Sequence, residues 1–205
     1  MPAETIATTG GAAETIGRAG TTVKEGIVTS LKGLDEIEAE IVTLVRSTVS
    51  NSLRATGAVA TEGIAITKDV MKGAIQATEE VGTGLVLSTK SVAKGVIMGV
   101  TDVGGDVLSA AQTAAKAAVD GAADVGADVA MIAKRAVDGV IEAVSETGGN
   151  AIEVGKAAAT GAIEAAGAIG NTAVNAVRDV LVGVAAGVKQ VAGAALPRAG
   201  GGESK

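Results

Sequence analysis

The sequence predicts an all-α protein: one very long amphipathic helix, or a few helices with glycine hinges, built on 11-residue repeats. Such a chain is expected to be non-globular, and to wind into a right-handed supercoil if helices associate. Three observations lead there. Twelve consecutive 11-residue windows run from Glu62 to Gly193 without an insertion. Every charged residue in that stretch falls at place one, four, seven, eight or eleven of its window. No proline occurs between Ala3 and Leu196, so nothing sterically forbids continuous helix.

An 11-residue period is three turns at about 3.67 residues each, close enough to the α-helical value for one stripe to run straight along a long helix. The uncharged places form a single arc of roughly half the circumference on a helical wheel. Its marker is the third place, held by Ile64, Ile75, Val86, Ile97, Leu108, Val119, Ile141, Ile152, Ile163 and Val174, with alanine at 130 and 185. These residues are expected to face either lipid or another helix. A strand would need alternation of period two, which is absent.

The two borders of the arc differ in chemistry. One is basic, with Lys68, Lys72, Lys90, Lys94, Lys116, Lys134, Lys156, Arg178 and Lys189 at places seven and eleven. The other is small or acidic and carries Gly73, Gly95, Gly99, Gly121, Gly139 and Gly161. Acids such as Asp120, Asp124, Glu142 and Glu153 spread over the polar back, where they support the helix as a solvated face. Thr67, Thr78 and Thr89 sit on the apolar side, where a helical threonine can return its hydroxyl to the preceding turn.

Taken in order, residues 1–20 read as a flexible extension with Ile6 and Ile16 as weak anchors. Residues 21–61 read as an aliphatic-richer helix and the atypical first repeats, with Thr21 or Thr22 as cap and Glu25 in the first turn. Residues 62–193 are the repeat helix, and 194–205 a polar, glycine-rich tail beginning around Pro197. Glycine costs about 1 kcal/mol relative to alanine inside a helix, so the repeat needs support from whatever its apolar face touches. Gly104-Gly105 and Gly148-Gly149-Asn150 are the candidate hinges if the rod folds back.

Composition narrows the function. The chain has no Phe, Tyr, Trp, His or Cys. Without an aromatic, a compact two-layer core is not expected, because the largest contributors to burial are missing. Without histidine or cysteine, the commonest general base and metal ligands are gone, and no nucleophile has an activating partner. Neither a dinucleotide loop nor a phosphate loop is present, since Gly82-Thr83-Gly84 lacks the third glycine. An enzyme, a cofactor and a small-molecule substrate are therefore not expected. A net charge of −6 and the lack of stacking side chains argue against nucleic acid.

Mean hydropathy is +0.42, yet no uncharged run reaches the 18 or more residues of a spanning helix. Nor does MPAETIATTGG look like a secretory signal. A cytoplasmic protein, peripherally associated with a membrane or droplet, is expected.

Thr22-Val23-Lys24-Glu25-Gly26-Ile27 resembles the KTKEGV core of the synuclein repeat, and Thr67-Lys68-Asp69-Val70 and Thr89-Lys90-Ser91-Val92 are looser copies. Similar 11-residue repeats occur in perilipin-type droplet coats and, more hydrophilic, in late-embryogenesis-abundant proteins. The resemblance implies a segment that becomes a long helix in a lipid surface, threonine and valine down and lysine at the boundary.

Two functions follow as expectations. The first is a lipid-surface protein, with weak contacts per window summed by repetition. The alternative is a structural self-assembly, a right-handed coiled coil forming a multi-helix bundle, barrel or filament, in which the basic border of one helix meets the small, acidic border of the next. Partners are then lipid, other copies of the chain, or both.

Overall fold

The computed structural model describes residues 36–55, 59–81 and 84–195. The expected extension over 1–20, the Thr21/Thr22 cap and the tail from 196 onward lie outside the described residues. Contacts divide the chain into Met1–Ala39 and Glu40–Lys205, and the packing described below is that of the second unit, which takes in the first helix from Glu40 onward.

The described residues contain helices and no strand, as the periodicity predicts. They do not form one very long helix; they form a packed set of several. The chain folds back on itself as α1 (36–55), α2 (Val59–Val81), α3 (Leu85–Thr101), α4 (Val107–Asp124), α5 (Val129–Thr147), α6 (Ala151–Ile169) and α7 (Asn171–Ala195). The helices from α3 to α6 begin at intervals of 22 residues, two windows apart.

The breaks have a local cause. Gly104, Gly126 and Gly148 adopt left-handed φ values of 67°, 68° and 77°. Each is followed two residues later by a capping side chain. Asp106 accepts from the Ser109 amide at 3.1 Å, Asp128 from the Met131 amide at 3.0 Å, and Asn150 from the Glu153 amide at 3.3 Å. Between glycine and cap, the amides of Gly105, Ala127 and Gly149 donate to the carbonyls of Val100, Ala122 and Val144, closing each helix end in the same way. A left-handed glycine followed by an N-cap ends one helix and starts the next, which continuous helix propensity cannot oppose. Both expected hinges are therefore turns. A third turn of the same kind lies at Gly126, whereas the break at Gly170 differs, with φ 143° and α7 starting on the next residue.

From α2 onward, each helix packs on the next and on the one after it, so odd and even helices form two rows. The most extensive contacts join helices two apart, α4 with α6 and α3 with α5. α1 joins the odd row, with Val45 and Val49 set against Gly95 and Gly99 of α3.

This packing overturns the expectation that an aromatic-free chain cannot build a two-layer core. The interior is alanine and valine: Ala111, Ala114, Ala118, Ala133, Ala136 and Ala162 are fully buried, together with Ile97, Val119 and Ile132. Small side chains let helix backbones approach closely, and close approach recovers dispersion contacts that large side chains would otherwise supply. Gly139 and Gly161 carry this furthest. A methyl group at either would overlap the carbonyl of Lys90 or Gln112 on the helix two before it.

Candidate interaction surface

Folding back divides the third-place residues into two sets. Ile75, Ile97 and Val119 lie in the core; Val86, Ile141, Ile163 and Val174 are half-buried. Ile64, Leu108 and Ile152, one near the start of each even-row helix, remain exposed at 40 to 47%. Much of the stripe thus meets other helices of the same chain. The sequence could not separate these sets, because one stripe on a straight helix has no inside and outside of an array.

The basic border divides as well. In the odd row, Lys90 pairs with Glu142 at 2.6 Å, and Lys94 with Glu142 and Glu146 at 2.8 and 2.7 Å, joining α3 to α5. Arg46 holds Asp102 through two bonds of 2.6 and 2.7 Å, joining α1 to the end of α3. Lys134 pairs with Asp138 one turn on. In the even row, Gln112 donates to Glu164 at 3.2 Å between α4 and α6. Among the described residues, Lys68, Lys72, Lys116, Lys156 and Arg178 make no ion pair. Lys189 lies on the stretch of α7 whose side chains are outside the described ones.

The α3–α5 bridges lie beside a close backbone contact. Gly139 meets the Lys90 backbone, and Glu142, one turn on, receives the Lys90 and Lys94 ammonium groups. The lateral meeting of a basic border with a small, acidic one, expected between chains, occurs here between helices of one chain. Burial works against both charges, but the paired groups outweigh it: Glu142 is held below the usual carboxylate range and Lys94 above its ordinary value. Asp102 is likewise held low, chiefly by the Arg46 guanidinium.

No protein-family model, curated protein or solved structure matches this chain.

The described residues form no cluster that could hold a metal. A shallow gap between α2 and α3 is lined by Met71, Ile75, Leu85 and Val92. The hydroxyls at its edge are already engaged with their own helix: Ser88 donates to Gly84 at 3.0 Å and Thr89 to Leu85 at 2.6 Å. No described helix is long and apolar enough to cross a membrane. The described surface is helix surface, with exposed aliphatic residues such as Ile64, Leu108 and Ile152 beside bases that make no ion pair.

Proposed function

We propose that the chain is a non-enzymatic structural protein, a helical array held together by self-recognition of its repeat and acting through association of such arrays. The observation that carries this reading is the α3–α5 contact, in which Gly139 seats on the Lys90 backbone and Lys90 and Lys94 bridge to Glu142 and Glu146. A repeat that recognises its own neighbour so closely needs no lipid to satisfy its apolar arc. The deciding experiment is far-UV circular dichroism in lipid-free buffer. High helicity with a cooperative thermal transition is expected; a chain that is unfolded until vesicles are added would overturn the reading.

A second reading, a coat on a membrane or droplet surface in the cytoplasm, has a specific observation in its favour. The 11-residue frame runs through each turn without an insertion, so a chain straightened at Gly104, Gly126 and Gly148 would keep its stripe on one face. Ile64, Leu108 and Ile152 are exposed already. Helicity that appears only with vesicles, alongside vesicle co-flotation, would make this reading the lead.

A further inference from the structure

The geometry points to a two-fold dimer in which the α6–α7 end of the array docks against the same end of a second copy. This inference rests on the self-associating array proposed above and names its contact surface.

The side of α6 concerned carries Ile152, Lys156, Ile163 and Gly167, spaced so that they share one face. The matching face of α4, four windows earlier, is the one α6 covers. There the Gln112 backbone meets Gly161, and Val119 is fully buried. On α6 that face meets no described helix of higher number except α7, and Ile163, the counterpart of Val119, is only half-buried. A methyl group placed on Gly167 would meet nothing within 4 Å, leaving room for a close backbone. α7 extends the surface with Arg178 and with Val182, which is 70% exposed, more than any other large aliphatic side chain described. An apolar face of a kind already seen to bind helix has thus been left open.

A second copy is the occupant that its charges fit. Exposed Lys156 and Arg178 stand beside exposed Glu153 and Asp179, so the surface holds both signs and is complementary to itself on rotation about a two-fold axis. Two helices side by side, about 28 Å and about 38 Å long and about 10 Å wide, present on the order of 600 Å². That approaches the roughly 800 Å² per partner of an ordinary stable interface. A two-fold contact uses the same end of both copies and so closes as a pair rather than a fibre.

The test is the mass of the full chain in lipid-free buffer, by sedimentation and light scattering from low micromolar to submillimolar concentration, with circular dichroism on the same samples. Twice the 19.6 kDa chain mass is expected at the upper end of that range. Val182→Asp and Ile152→Asp, both at exposed positions, should each raise the dimer dissociation constant roughly tenfold or more with helicity unchanged. A helical monomer at every concentration would overturn the dimer while leaving the array intact. Larger species, or a dimer indifferent to both substitutions, would overturn the α6–α7 interface. A non-helical chain would instead overturn the array itself.

Discussion

Gly139 of α5 lies directly against the backbone carbonyl of Lys90 in α3, with no side chain between the two helices. The contact explains why glycine, the poorest ordinary helix former, stands in the middle of a helix. Gly139→Ala gains helix propensity of about 1 kcal/mol in isolation, yet here the methyl group would overlap backbone that cannot rotate away. A net loss of about 1–3 kcal/mol is expected, as for other overpacked sites. Gly73→Ala is the control: it lies in α2 with nothing within 4 Å, and should stabilise by up to about 1 kcal/mol. Urea unfolding of the two variants would check both signs.

The turns make an independent prediction. Asp128 caps α5 through the Met131 amide at 3.0 Å, and Asp128→Ala should cost about 1 kcal/mol. Gly126→Ala should cost a similar amount, about 1–2 kcal/mol, because it forces a side chain into the left-handed region at φ 68°. Thermal midpoints measured by circular dichroism would check each. If instead both substitutions raised helicity and stability together, α4 and α5 would prefer to run on as one helix.

How much of the fold is legible in the sequence can be judged from the first place of each window. That place alternates between two duties: a cap at Asp106, Asp128 and Asn150, and a close helix contact at Gly95, Gly139 and Gly161. The 11-residue period reveals helix and stripe, because both kinds of residue fit an uncharged or acidic border. It hides the fold, because only the 22-residue alternation marks where the chain turns. A glycine two residues before each Asp or Asn cap is the visible signal, and at Gly126 it is lost among so many other glycines. The ion-pair partners are legible as classes, basic border to acidic border, but which helix faces which depends on the turns.

Buried threonine offers a contrast within one residue type. Thr89 is 2% exposed and donates its hydroxyl to the Leu85 carbonyl at 2.6 Å, satisfying itself on its own helix. Thr67 is fully buried, and its Oγ1 has no hydrogen-bond partner. An unsatisfied buried hydroxyl costs about 1–3 kcal/mol, so Thr67→Val should stabilise the array by about 1 kcal/mol or more. Thr89→Val, which removes a satisfied bond, should gain less or lose. Paired denaturation curves would show the difference directly; equal effects would mean that Thr67 finds a partner in solution.

The α3–α5 bridges predict how stability depends on pH. Glu142 has a folded pKa below its ordinary value near 4.5, because the Lys90 and Lys94 ammonium groups outweigh the cost of its burial. A carboxylate with a depressed folded pKa binds fewer protons folded than unfolded. Its contribution is therefore complete above the unfolded value, and is lost as pH falls through the folded one. Asp102, held low chiefly by Arg46, acts in the same direction from its ordinary value of 3.8. The array should keep constant stability from neutral pH down to about 5 and weaken steadily below that. Glu142→Gln should lower stability at neutral pH by a modest amount, since the pair is partly solvent-exposed and screened. It should also flatten the acid slope, so that wild type and variant converge at low pH. Urea unfolding across that range is the measurement, and parallel curves that never converge would mean that Glu142 is not paired in the folded chain.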